Sequence, residues 1–316
     1  MRILVAGATG AIGRHLVPEL VTRGHEVVGM TTRREGAERL RDWGASPVIA
    51  DALDAEAVGQ AVSEAAPEAI VHELTALSGA INPRRVERDF ALTNRLRTEG
   101  TDHLLSAGRA VGVRRFLAQS FAGWPYARTD GAVKGEDAPL DPDPPRQLRT
   151  THGAIRYLEE AVLAARWTDG IVLRYGGFYG PGTGLATDPP GEQTELILRR
   201  RLPVVGDGGG VWSFIHIEDA AEATVAAVER GRRGIYNVVD DEPAPVSEWL
   251  PALASALGAK PPLRVPRWVG RLAVGEGGAV MMTEVRGASN EKAKRELDWR
   301  PRYPSWRQGF ANGNGR

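Results

Sequence analysis

Gly7, Gly10 and Gly13, in the run MRILVAGATGAIG, stand at GxxGxxG spacing between the apolar triplet Ile3-Leu4-Val5 and the helical periodicity of Ile12 to Val17. That pattern reads as strand, tight turn, helix, and its chemistry is the cradling of a diphosphate. Gly7 admits the turn, Gly10 lets backbone amides approach the phosphates, and Gly13 allows the helix to pack closely on the strand. Thr9, Ala11 and Ile12 complete the cradle, and the helix N-terminus behind them stabilises negative charge. A second group, Thr32, Arg33 and Arg34, follows the apolar run Glu26–Thr31. It offers cations and no acid, which suits a ribose 2′-phosphate better than a 2′-hydroxyl, so NADP is expected over NAD; a solvated helix start is the ordinary alternative. Asp51, with Ala52 beside it, ends the next strand, where a carboxylate accepts from an adenine amino group or caps a helix, the latter role suiting Asp54 better.

These residues need a scaffold, and the hydrophobic pattern supplies one. Apolar runs at Ile3–Val5, Glu26–Thr31, Pro47–Asp51, Ala69–Leu74, Arg114–Ser120 and Gly170–Arg174 alternate with helical stretches and show no hairpin signal, which predicts a parallel, doubly wound α/β sheet. Leu74, Thr75 and Ala76 fall at the carboxyl end of the fourth strand and Ser120 at that of the fifth, the edge at which ligands bind in such sheets. A long helix is predicted from about Arg84 to Gly108, carrying Asn94. The Pro- and Asp-rich stretch from Trp124 to Arg146 is predicted to be a surface loop, followed by a helix from about Thr151 to Arg166.

Composition narrows the function. With 316 residues and 42% hydrophobic content the chain buries a sizeable core. Forty basic residues balance forty acidic ones, so no net field favours nucleic acid or an anionic membrane. The absence of cysteine excludes disulfides and thiolate chemistry, and the six histidines have no ligand-like spacing, so no metal is expected. No apolar run approaches the ~20 residues needed to cross a bilayer, and Met1 leads directly into a strand; the expectation is a cytoplasmic protein.

Taken together, the residues resemble the extended short-chain dehydrogenase/reductase superfamily, of the NAD(P)-dependent epimerase/dehydratase type. The resemblance rests on GATGAIG, the Asn94 helix, Arg115-Phe116 leading to Ser120, LRYGGFYGPGT from Leu173 to Thr183, GDGGGVWSFIHIEDAAEA from Gly206 to Ala223, Tyr236-Asn237-Val238, and SNEKAKRELDWRP from Ser289 to Pro301. It implies a Rossmann-type domain over residues 1–180 with a returning segment near 212–239, and a smaller C-terminal substrate cap formed mainly by 181–316. It also implies cofactor contacts from Asn94, Tyr175 and Gly176. The Pro/Gly-punctuated stretch from Pro261 to Gly278 carries Val265, Trp268, Val269, Leu272 and Val274, suited to a pocket wall or to ordinary cap core.

Two departures from that family pattern bear on chemistry. The resemblance implies a Tyr and, four residues on, a Lys that lowers its pKa; here those positions hold Thr151 and Ile155. Ser120 remains to hold a substrate oxygen, or to bond backbone. Tyr126, Tyr175, Tyr179 and His152 are candidate replacement proton donors. Relatives that act on nucleotide sugars pair an Arg with the substrate diphosphate where this chain has Trp212. With Trp124 and Trp268 also in expected pocket segments, Trp212 points to a neutral, partly hydrophobic small molecule, with Tyr126 and Tyr179 as further substrate contacts. The expected protein is an NADP-dependent oxidoreductase on a non-nucleotide substrate, forming a homodimer through the Asn94 helix and the helix after the loop. A non-redox dehydratase, isomerase or cyclase, or a silent dinucleotide-binding protein, are the alternatives.

Overall fold

The computed structural model describes residues 1–77 and 85–311. At its centre lie β1 (Arg2–Ala6), β2 (Glu26–Thr31), β3 (Ser46–Ile49), β4 (Ala69–His72), β5 (Arg115–Phe121), β6 (Asp169–Tyr175) and β7 (Gly234–Val238). They form one parallel sheet in the order β7-β6-β5-β4-β1-β2-β3. This is the α/β, Rossmann-type arrangement expected from the sequence. The strand order reverses between β1 and β4, which opens a crevice at their carboxyl ends.

Strand alternation explains why both faces are covered. Ile3 and Val5 of β1 enter one apolar cluster and Leu4 and Ala6 the other. The first cluster is closed by α1 (Gly13–Thr22) and α9 (Ile217–Arg230), together with α2 (Arg34–Asp42). The second is closed by α3 (Ala55–Ala65), α6 (Thr101–Val111) and α7 (Arg149–Ala164). Asp54 caps α3, its carboxylate accepting from the amides of Glu56 and Ala57. A third cluster, around Phe214, Trp249 and Trp306, gathers C-terminal segments that include α8 (Glu192–Leu198), α10 (Val246–Ala256) and α11 (Arg267–Thr283). Among the described residues no helix is long and apolar enough to cross a membrane.

One predicted element differs. Arg84, the expected start of the long helix, lies outside the described residues, and beyond it the helix is interrupted. The chain forms α4 (Val86–Asp89) and α5 (Ala91–Arg95), then a π-helical turn over Leu96–Gly100, before α6 resumes. Thr98 Oγ1 donates to the Asn94 carbonyl at 3.1 Å and Thr101 Oγ1 to that of Arg97 at 2.8 Å. These hydroxyls compete with the helical ladder at the turn, an effect that hydrophobic periodicity does not register. The predicted loop from Trp124 to Arg146 is also tied down: Val133–Lys134 pairs with Gly287–Ala288, and Tyr126 bridges to Leu140.

Candidate active site

The glycine turn has the geometry of a phosphate cradle. Gly7 adopts φ +91°, and a Cβ there would lie 2.6 Å from the carbonyl oxygen of Glu73, just beyond β4. A Cβ on Gly13 would lie 2.3 Å from the Ala8 carbonyl, so only glycine lets α1 start this close to the turn. The Gly10 amide closes the turn onto Gly7 O at 2.9 Å. Gly10 and Ala11 are exposed and Thr9 half-buried, while Ile12 anchors the turn in the core. Helix α1 follows Ile12 with no capping side chain; its Arg14, His15 and Leu16 amides are bonded to the Gly10 and Ile12 carbonyls, and its positive end is turned to the glycine turn.

Around this cradle the sheet edge arranges the other expected contacts. Thr32, Arg33 and Arg34 are exposed at the end of β2 and the start of α2, and no described carboxylate forms an ion pair with either arginine. Asp51 turns its carboxylate to the Leu53 amide at 2.9 Å, and the buried Ala52 offers its carbonyl to His103 Nδ1 at 2.9 Å. Leu74 and Ala76 are half-buried and Thr75 exposed; the amide of Leu74 donates to His72 Nδ1 and that of Ala76 to Thr93 Oγ1. Tyr175 is wholly buried, its hydroxyl donating to Glu73 Oε1 at 3.1 Å and sharing a bond with Thr224 Oγ1 at 2.6 Å. Gly176 lies against the backbone of Ser213, where a Cβ would come within 2.8 Å.

The α7 side has few free polar atoms. Asn94 Nδ2 donates to Thr151 Oγ1 at 3.1 Å, joining α5 to α7. Ile155 is 1% exposed. His152 is buried with Nε2 bonded to the Pro125 carbonyl at 3.0 Å and its ring edge-on to Trp124. Ser120 faces α7 and donates to Glu159 Oε1 at 2.6 Å, while Glu159 forms a buried two-bond pair with Arg174. Tyr126 is buried in the same network, donating to Asn237 Oδ1 and accepting from Arg174 Nη1. Tyr179 packs edge-on against His216 and Phe310. These groups hold the elements together.

A narrow apolar cleft, open to solvent, lies between the sheet edge and the C-terminal segments, with Phe121, Trp124, Gly177, Trp212, Met281 and Val285 among its walls. Trp212 is fixed by Nε1 donating to Met281 O at 2.8 Å and by Trp249, 5.1 Å away between ring centroids. Of the expected substrate contacts, Trp124 and Trp212 meet here, and Tyr126 and Tyr179 do not line it. The side chains of Trp268 and Leu272 are 66% and 69% exposed on α11, outside the cleft.

Three residues with a bearing on the site escaped the sequence reading. Phe121, next to Ser120, lines the cleft from the other face of the strand. Glu73 is buried with Oε2 unpartnered, and burial pushes its carboxyl up to about 8 against the opposing Tyr175 bond. Arg97 is 5% exposed, and burial brings its guanidinium down to about 10. Its signal was the spacing Asn94, Arg97, Thr101, Leu104, which sets a cation in the inward stripe of the helix.

Comparison with known proteins decides the family: the description "NAD dependent epimerase/dehydratase family" matches residues 3–239. The chain belongs to the NAD-dependent epimerase/dehydratase family. It is 46% identical to 3-diazoavenalumate denitrifying reductase of a Streptomyces species, over 98% of this chain and 99% of that protein. It is 28% identical to 2-alkyl-3-oxoalkanoate reductase of Stenotrophomonas maltophilia, covering 82% and 76% of the two chains. Among solved structures, the UDP-glucose 4-epimerase of Thermus thermophilus in complex with NAD superposes with a TM-score of 0.73 at 28% identity, covering 99% of this chain and 97% of that one. The residues present fit the family's nicotinamide dinucleotide: a Cβ would fill the cradle at Gly7 and Gly13, and the uncapped α1 faces the place of the diphosphate.

Proposed function

We propose that this member of the family is an NADPH-dependent reductase that removes a diazo group from a small aromatic substrate as dinitrogen. The observation that carries the reading is the chemistry of the α7 side. Thr151 and Ile155 stand where the family resemblance expects Tyr and Lys, and the nearby His152 is bonded to a backbone carbonyl. Hydride addition to a carbonyl leaves an alkoxide that must be protonated, and no tuned phenol is present to do it. A diazo group has no such requirement. When bound, the reduced nicotinamide supplies a hydride, so that R–N₂⁺ and hydride give R–H and N₂, a balance that needs neither proton donor nor acceptor. The similarity to a denitrifying reductase over nearly the whole chain supports the same class of substrate.

The chain's own groups then bind and orient. The amides of the glycine turn hold the diphosphate, and Arg33 and Arg34, with Thr32, take the 2′-phosphate. Trp124, Trp212 and Phe121 cover an aromatic ring and keep water from the cleft, and their faces favour a cationic diazo end. Thr151 accepts from Asn94 and keeps its own hydroxyl proton to donate to the bound ligands. We also read the protein as a homodimer through α5, α6 and α7, where Leu92 is 48% and Tyr157 42% exposed; Leu92→Asp is expected to give monomer in light scattering.

The test is to supply the purified protein with NADPH deuterated at nicotinamide C4 and a benzenediazonium salt. Deuterium on the ring carbon with matching release of dinitrogen is the expected result. Oxidation of NADPH without dinitrogen, or deuterium delivered only to a panel of ketones, overturns the reading.

A further inference from the structure

Arg97 is a buried cation with no described acid to balance it. No described residue accepts a hydrogen bond from its guanidinium, no described carboxylate lies within ion-pairing distance, and Nη1 is fully enclosed without a partner. The neighbouring arginines behave differently: Arg95 is paired with Glu99 in solvent, and the buried Arg174 is paired with Glu159. Removing a guanidinium from water without a partner is costly, so a sequence that retains one there has another use for it.

Its place in the fold indicates that use. The π-helical turn carries Arg97 on the inward face of the interrupted helix. Its carbonyl accepts from Thr101 Oγ1, which is bonded in turn to His72 Nε2 at 3.1 Å, at the end of β4. The next residue, Glu73, forms the wall against which Gly7 turns. One helical turn earlier, Asn94 reaches Thr151 on α7. The Arg97 backbone is therefore tied to the end of β4, one helical turn from the Asn94–Thr151 contact, and its charge disfavours protonation of His72.

We infer that Arg97 is an anion-binding residue of this site, its guanidinium taking an oxyanion of the bound ligands: a phosphate oxygen of the dinucleotide or a carboxylate of the substrate. The inference rests on the dinucleotide site and, for the second source, on the proposed diazo chemistry. A planar guanidinium in a dry setting suits either oxyanion, because each presents oxygens to its paired donors.

Arg97→Met keeps the apolar stem and removes the charge, and Arg97→Lys restores a cation. Three measurements separate the outcomes: melting of the ligand-free protein, NADPH affinity by nicotinamide fluorescence, and KM for 4-carboxybenzenediazonium against unsubstituted benzenediazonium. The expected result is that Arg97→Met melts no lower than wild type, since an uncompensated charge is gone, while one binding step weakens about tenfold or more. Weakened NADPH binding identifies the phosphate. A raised KM for the carboxylated substrate alone, at unchanged NADPH affinity, identifies the carboxylate. Arg97→Lys recovers part of the loss in either case. Wild-type NADPH affinity together with wild-type KM overturns the inference, as does a lower melting temperature with no recovery in Arg97→Lys. Should neither diazonium be turned over, the proposed reaction fails and the carboxylate source with it; the NADPH titration then decides alone, and wild-type NADPH affinity in Arg97→Met overturns the inference.

Discussion

The carboxyl of Glu73 keeps its proton up to about pH 8 because burial disfavours the charged form, and the Tyr175 hydroxyl offsets this only in part. In an unfolded chain the same group ionises near 4.5, so between those values the native state holds a proton that the unfolded state has lost. Native stability accordingly falls as pH rises through that window and is level above it. Glu73→Gln is expected to abolish this slope, melting several degrees above wild type once the pH exceeds 8 and alike near 4.5, as calorimetry would read. His72 works in the other direction: burial holds its imidazole down to about 4, so its contribution is lost as pH drops from 6.5 toward 4. At the α7 side, the double variant Thr151→Tyr/Ile155→Lys is expected to leave turnover of a benzenediazonium unimproved. A large rise in kcat would mean that proton donation limits the wild type after all.

Among the elements, α7 is fixed to the sheet by charge as well as by Leu158 and Val162. Glu159 spans from the helix to Ser120 on β5 and Arg174 on β6, and Tyr126 and Asn237 extend the network to the loop and β7. Glu159→Ala strands the buried Arg174 guanidinium and is expected to cost about 3–5 kcal/mol in urea unfolding. Ser120→Ala loses one hydrogen bond, about 1 kcal/mol, and kcat is expected to stay at the wild-type value. A fall in kcat of a hundredfold at unchanged stability would instead place this hydroxyl on the substrate. The type of residue and its arrival at the sheet edge were legible in the sequence. Which of Ser120 and Phe121 meets the cleft was not, because a strand presents neighbours to opposite faces and only the packed helix shows which face is which.

For the molecule as a whole, the proposed function assigns cofactor preference and substrate binding to opposite ends of one crevice. The exposed Arg33 and Arg34, beyond β2, lie on the sheet's outer half, while the cleft at Trp124 and Trp212 lies where the C-terminal segments cover β5 and β6. Arg33→Ser/Arg34→Ser is expected to weaken NADPH binding about tenfold or more and to leave NADH binding unchanged, as titration of each cofactor would show. Equal loss for both would move these arginines from the 2′-phosphate to general attraction of anions.

By itself the sequence determined the parallel α/β sheet, the glycine cradle and the cap on α3, because each depends on local pattern: alternation of runs, the room a missing Cβ leaves, a carboxylate placed before a helix. Tertiary structure alone decided the rest. Tyr126 and Ser120 are held by Arg174 and Glu159, residues distant in the chain, while the buried Arg97 meets no acid among the described residues. Whether a polar side chain holds the fold or waits for a ligand depends on the partners that packing brings to it, and those partners come from the whole chain.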